Sequence, residues 1–200
     1  MAIIVDKAQK KRDIALACKD LLVHSSINAL TISEIAKTAG IGKGTFYEYF
    51  KDKDELVFEL VNLLMQEHNS KKEQKIASAQ STREKIKVFY EFFYSDESSD
   101  LRALYKEFVA ISLLAPKQEM IAFQTECFRF YYQWVEKIID EGIAKGEILP
   151  VSKALIKGMY TMGEGMFIAS LATEGVIDLK HDINRYVDEI FELVEKKESR

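Results

Sequence analysis

Residues 30–50 read LTISEIAKTAGIGKGTFYEYF, two short helical patterns joined by a glycine-containing turn. Thr31 with Glu34 makes a capping box: the hydroxyl accepts from the amide three residues on while the carboxylate reaches back, so a helix is predicted to begin at about Ile32. Ile35, Ala36 and Ala39 supply its apolar face. Gly40 stands where that helix must stop, because a left-handed backbone suits glycine and costs a residue with a side chain about 1–2 kcal/mol. Ile41 then plugs the angle between the helices. A second helix is predicted from about Lys43 to Tyr49, with Phe46 and Phe50 spaced to pack inward and Lys43, Thr45, Tyr47 and Glu48 left largely outward. The first-turn amides of that helix have no partner inside it and the dipole there is positive. Gly42 and Gly44 carry no side chain that would hold a phosphate or a base edge away. This is the outline of a helix-turn-helix that presents the start of its second helix to a nucleic-acid groove.

Two blander readings of the same residues are weaker. Glycine turns between helices are frequent in bundles, but capping, turn and basic-aromatic content all agree within one short window here. The string Gly42-Lys43-Gly44-Thr45 has the look of a phosphate loop. However, Lys37 stands where that motif places its first glycine, Gly44 replaces its serine or threonine, and a helix precedes it where a strand is needed.

Across 200 residues, 48% are hydrophobic and there are only two prolines, Pro116 and Pro150, so long uninterrupted helices are permitted nearly everywhere and the expected class is all-α. A chain of this length can bury about 70% of its unfolded surface. The net charge of -4 argues against a nucleic-acid partner only if it is read globally. Residues 1–53 hold nine Lys or Arg against six Asp or Glu, while the remainder holds nineteen against twenty-six. The basic end is the one carrying the motif, with Lys7, Lys10, Lys11 and Arg12 clustered ahead of it and diluted by Asp6 and Asp13. Cys18 and Cys127 share no pairing or metal spacing and suit a reducing compartment as small core residues. No apolar run approaches a membrane span and the start, MAIIVDKAQKKR, lacks the long apolar region of a signal peptide, so a cytoplasmic location is expected. His24, His68 and His181 are scattered without metal spacing. No serine or cysteine has a basic partner suggested by sequence, so catalysis, a cofactor and a metal are not expected.

About nine helices are predicted. The first, about Lys7 to His24, braces the helix pair through Ile14, Ala17, Cys18, Leu21 and Leu22. After the motif, Asp52 and Glu55 form a second capping box and open a fourth helix, about 53–69, that connects an N-terminal DNA-binding domain of three helices (residues 1–53) to a C-terminal domain (54–200). The polar run SKKEQKIASAQS, residues 70–81, marks the boundary region. Beyond Thr82 five more helices are predicted: to about Tyr94, from Asp100 to Ala115, about 117–145, about 151–173 and about 178–197. Pro116 separates the second from the third. The third is apolar on two faces and belongs at the centre of a bundle.

The residues from about 7 to 60 resemble the N-terminal domain of the tetracycline-repressor (TetR) family of bacterial regulators. Its T-x-x-E-I-A, A-G-I/V and K-G-T-aromatic-Y-x-Y-F elements are present, followed by K-x-K-x-E-L. The resemblance implies that Lys43 and Gly44 approach base edges in the major groove, while Thr31, Thr45, Tyr47, Tyr49 and Lys53 hold phosphates. The family commonly places serine or threonine where this chain has Gly42, so one cap hydroxyl is absent; glycine caps only a few tenths of a kcal/mol less well. Glu48 must point away from the sugar-phosphate backbone, bind a basic neighbour, or accept from a cytosine amine.

The aromatic wealth of the C-terminal part has two readings, ordinary core and a lined effector cavity. The residues that would line a cavity are Phe89, Phe93, Tyr105, Phe108, Phe123, Cys127, Phe130, Tyr131, Trp134, Tyr160, Glu164 and Phe167. Glu164 falls in line with Tyr160, Phe167 and Leu171; it either faces an aromatic interior, where it needs a partner or a cationic guest, or lies on the helix surface. The last two helices offer Leu155, Met159, Met162 and Met166 and then Ile183, Tyr186, Val187, Ile190 and Val194. Gly158, Gly163 and Gly165 permit close backbone approach. Two such pairs would make an intersubunit four-helix bundle, as the resemblance also implies, and burial within one monomer is the competing use. The expected function is a ligand-responsive DNA-binding regulator. It would be a homodimeric repressor released from a palindromic operator when a small hydrophobic or aromatic effector binds the C-terminal domain. The alternative is a helical small-molecule or lipid-binding protein whose N-terminal module no longer recognises DNA.

Overall fold

The computed structural model describes residues 6–114 and 117–196; the helix break expected at Pro116 and the expected end of the last helix near Lys197 lie outside them. Ten α-helices follow in chain order: α1 Lys7–Ala17, α2 Lys19–His24, α3 Ile32–Thr38, α4 Lys43–Tyr49, α5 Lys53–Ser78, α6 Thr82–Tyr90, α7 Ser99–Leu114, α8 Gln118–Lys145, α9 Ser152–Ala172 and α10 Leu179–Val194. Two single 3-10 turns, Glu91–Phe93 and Asp96–Ser98, separate α6 from α7. The all-α expectation holds. Among the described residues the nearest thing to a sheet is one antiparallel bridge between Ile148 and Glu195.

The tenth helix arises at Cys18, where the helix expected from Lys7 to His24 divides. Cys18 leaves helical geometry (φ -92°, ψ 1°), its amide tightening onto the Ala15 carbonyl at 3.2 Å. Its buried thiol donates to the Ile35 carbonyl at 3.6 Å, so the break is tied to α3. The opposite happens after residue 69. The polar run expected to be a boundary continues α5 to Ser78, because Lys, Glu, Gln and Ala are strong helix formers whatever their polarity.

The chain forms two compact units: residues up to Asn69 with Asp100–Leu114, and Ser70–Ser99 with the chain from residue 115 onward. In the first, Ile14, Leu22, Ile35, Phe46, Phe50, Leu56 and Leu60 are at most 2% exposed and make the core. Most of α7 belongs here: Phe108 meets Phe58 edge-on at 5.5 Å, and Asp100 pairs with Lys19 at 2.6 Å.

In the second unit, α8 ends at Gly146, whose left-handed φ of 76° lets the Glu147 amide return to the Gly142 carbonyl at 3.0 Å. The turn that follows is fastened to the end of α10, Leu149 N donating to Val194 O at 2.8 Å and Lys196 N to Glu147 O at 3.0 Å. Gly163 on α9 lies against rings. A Cβ there would stand 2.7 Å from the Phe93 ring and 2.8 Å from the Tyr90 ring. Tyr90, fully buried, donates its hydroxyl to the Met159 carbonyl. Burial pushes the Tyr90 phenol far above its ordinary range.

Candidate functional site

The helix pair is built by its caps. Glu34 N donates to Thr31 Oγ1 at 3.3 Å, and Thr31 N and Oγ1 both donate to Glu34 Oε2, at 2.8 and 2.7 Å. These bonds from the Thr31 hydroxyl and amide hold the Glu34 carboxyl below the usual carboxylate range. At the other end of α3, Gly40 takes φ 66°. Gly40 N then reaches Lys37 O at 3.1 Å and Ile41 N reaches Ala36 O at 2.9 Å. This paired closure satisfies the last carbonyls of α3 and sends the chain off at a fixed angle.

The inner face of α4 is locked. Phe46 is fully buried and its ring packs on that of Phe50 at 5.4 Å, so the helix cannot roll. The outer face and start are bare. Gly42, Lys43 and Gly44 are exposed, and a Cβ built at Gly44 meets nothing within 4 Å. Gly42 is the N-cap of α4, and no side-chain hydrogen bond caps that helix start. Thr45 and Tyr49 are half-buried, while Tyr47 is 51% exposed and meets Phe46 edge-on at 5.6 Å.

Two of the expected phosphate contacts are already engaged. The single donor proton of the Thr31 hydroxyl is used on Glu34. Lys53 Nζ donates to the carbonyls of Asn28 and Leu30 at 3.0 and 3.1 Å, fastening the loop before α3 to the first turn of α5. An ammonium has three protons, so one direction remains. Lys11 braces the same corner: its Nζ lies 2.5 Å from Glu55 Oε1 and over the Phe50 ring at 5.2 Å. That bond, first, and the Lys51 amide, second, lower the Glu55 carboxyl.

The twelve residues expected to line a cavity are divided between the two units. Tyr105 and Phe108 are on α7 in the first unit. In the second, Phe89 is the hub: its ring lies 6.2 Å from Tyr131, 6.2 Å from Trp134 and 6.3 Å from Tyr160. Phe93 meets Phe167 at 5.7 Å. Phe130 is half exposed at 50%, flanking Tyr131 and Trp134. Phe123 and Cys127 are partly buried on α8, and burial raises the Cys127 thiol to about 11, as it does for Cys18. Glu164 is partly buried and accepts from the Tyr160 hydroxyl at 3.5 Å, so the carboxylate sits at the edge of the aromatic group.

The residue that sequence reasoning missed is Lys72. It is 5% exposed, and its Nζ lies over four rings: Phe89 at 4.6 Å, Tyr131 at 5.2 Å, Phe92 and Trp134 each at 5.8 Å. Burial brings its amine down to about 7, against a smaller opposing pull from Glu91. The available signal was its place four residues before Ile76, itself buried, one helical turn apart on a single stripe.

The residues expected at an intersubunit contact also divide. Met159, Ile183, Val187 and Val194 are at most 3% exposed within the single chain; with almost no area left to cover, they are the protomer's own core. Gly163 likewise faces inward. Leu155, Met162, Met166, Tyr186 and Ile190 remain partly exposed, with Leu193 at 73%, Ile168 at 40% and Leu171 at 53% beside them. Gly158 and Gly165 look into open space.

A locked two-helix frame with a bare helix start, on the basic part of the chain, defines a helix-turn-helix DNA-binding regulator. Residues 14–60 match the family of bacterial regulatory proteins called the tetR family. Over those residues the chain is similar to the N-terminal segment of that family of regulators. It is 25% identical over 145 residues, covering 71% of this chain and 72% of the relative, to the fatty acid metabolism regulator protein of Bacillus subtilis (strain 168). Its fold is that of a TetR-family transcriptional regulator from Cytophaga hutchinsonii, with a TM-score of 0.80 at 13% identity over 98% of this chain and 100% of that one. A Saccharomonospora viridis protein crystallised in complex with choline shares the fold at a TM-score of 0.78 and 14% identity, over 94% and 99% of the two chains. Among the described residues no helix is long and apolar enough to cross a membrane.

Proposed function

We propose that this regulator is a homodimeric repressor, acting in the cytoplasm, that leaves a palindromic operator when a small, largely apolar effector enters the aromatic interior of its second unit. The observation that carries the DNA half is the open start of α4, with no Cβ neighbour at Gly44 and an exposed Lys43 beside it. Lys43 and Gly44 read base edges, and Thr45, Tyr47 and Tyr49 hold the flanking phosphates. Thr31 and Lys53 each have an intramolecular partner, so they join the phosphate contacts by sharing or exchanging it. The effector half is supported by the ring cluster around Phe89. It is also supported by the fold shared with the protein crystallised with choline, and α5 carries residues of both units in one continuous helix.

Dimerisation is supported by what the protomer leaves uncovered. Ile168 and Leu171 on α9 and Leu193 on α10 are exposed, Tyr186 and Ile190 are partly so, and Gly158 and Gly165 meet open space; apolar side chains left uncovered on the last two helices are what an isologous contact with a copy would cover. A dimer also matches the geometry of paired recognition helices about 34–36 Å apart on successive major grooves. Sedimentation should then give twice the 23.0 kDa chain mass.

The test of the whole reading is binding to duplex DNA selected by the protein, followed by fluorescence anisotropy at rising salt. Each phosphate contact contributes about -0.9 to the slope of log K against log salt, so a reader with several contacts loses affinity steeply. A flat salt response would favour a helical small-molecule carrier whose N-terminal unit has lost its DNA.

A further inference from the structure

A buried lysine ringed by aromatic faces is an unfinished electrostatic arrangement. The Lys72 ammonium carries three donor protons. Among the described residues its surroundings are the rings of Phe89, Phe92, Tyr131 and Trp134, which accept charge through their faces but take no conventional hydrogen bond. The acid whose field reaches it, Glu91, is already paired with Lys75 at 3.0 Å. Lys75 is also held by Glu97 at 2.9 Å, so Glu91 reaches Lys72 through its field and not through a salt bridge. A buried charge without a direct ion-pair partner is costly, and ring faces offset it only in part. Hydrophobic replacement would have removed the cost altogether.

We infer that Lys72 is the anchor for an anionic head group, and that the effector of this regulator is an apolar molecule ending in a carboxylate or phosphate. This rests on the reading of the second unit as the effector site. An incoming oxyanion supplies the acceptor that the ammonium lacks and stabilises its charged form, while an alkyl or aryl body replaces ring-ring contacts around Phe89. Charge-assisted hydrogen bonds to a desolvated ammonium are about twice as strong as neutral ones, so the head group, more than the tail, sets selectivity. The amine, brought down to about 7 by burial, takes up a proton as the anion binds. Lys72 therefore acts as a binding residue, and the four rings keep its amine largely out of water until the partner arrives.

The cage carries its own reporter. Trp134 is the sole tryptophan of the chain, and its ring lies 5.8 Å from Lys72 Nζ. The full-length protein is titrated, below micellar concentrations, with dodecanoate, dodecyl phosphate, dodecanol and dodecyltrimethylammonium while Trp134 fluorescence is followed. At least one of the two anions should bind about tenfold or more tightly than the alcohol. Which anion wins distinguishes a carboxylate from a phosphate effector. In Lys72→Met, which keeps length and apolar packing, that preference should collapse. Equal affinity for alcohol and anions, tightest binding of the ammonium, or no anion binding at all overturns the assignment. The head-group series on the unaltered chain separates these outcomes even if the variant fails to fold. Anisotropy on the selected duplex runs in parallel: loss of DNA binding there would sink the regulator reading, whereas intact DNA binding with no anion preference sinks the Lys72 assignment alone.

Discussion

Replacing Gly44 by alanine should move stability and DNA binding in opposite directions. The residue is in the first turn of α4 with an ordinary negative φ, since Gly40 and Gly146 are the glycines with φ above zero. A Cβ there meets nothing within 4 Å, so the added methyl strains nothing in the protein. Glycine inside a helix is about 0.5–1 kcal/mol worse than alanine, through the backbone freedom it loses on folding. Gly44→Ala should therefore stabilise the chain by up to that amount, a rise of about 2–4 °C in Tm for a protein of this size. In the proposed DNA contact the same methyl would point from the bare start of α4 toward the groove floor and hold the helix away from base edges. Affinity should fall by about tenfold, or 1.4 kcal/mol. Differential scanning fluorimetry and anisotropy on the selected duplex read the two quantities from one preparation. Gly44→Val, bulkier and a poorer helix former, should bind more weakly still without the gain in Tm. A higher Tm with unchanged affinity would refute the reasoning, because the methyl would be present and the DNA indifferent to it.

Three further outcomes follow from particular contacts. Gly163→Ala should destabilise by about 1–3 kcal/mol, because its Cβ would enter the Tyr90 and Phe93 rings; Gly165→Ala, which faces open space, should not, and equal Tm values for the two would show that α9 is oriented differently. Lys72 has a folded amine near 7, below its ordinary value of 10.5. Above 10.5 neither state is charged and below 7 both are, so between those values the unfolded chain binds the extra proton and stability rises with pH. Urea unfolding of the native chain should therefore show stability climbing from pH 7 to 10 relative to Lys72→Met, and parallel pH profiles would mean that the rings hold the charged form fully. Glu147 is held below the usual carboxylate range by the Thr82 hydroxyl and then its amide. That contribution is present above the ordinary glutamate value and is lost as pH falls through the depressed one, so Glu147→Gln should flatten the acid limb of the stability profile.

The helix-turn-helix was legible in the residues because its signals are local. A capping box needs only Thr31 and Glu34, a left-handed stop needs only Gly40, and the inward spacing of Phe46 and Phe50 is a property of one helical turn. Each lies within a few residues of its partner, so spacing alone specifies the contact. The all-helical class was legible for the same reason, from the scarcity of proline and the 3.6-residue apolar rhythm. Tertiary structure decided everything that depends on which side of a helix meets which neighbour. Periodicity marked Ile183, Val187 and Val194 as one apolar face, but that face is consumed inside the protomer; Gly163 turned inward while Gly158 and Gly165 stayed open. The strong helix formers of residues 70–78 carried a polar stretch on as helix and drove Lys72 under four rings drawn from α6, the following 3-10 turn and α8. No rule of spacing reaches from Lys72 to Trp134, sixty-two positions apart. Composition made that segment look solvated, and only the packing of distant helices buried its charge.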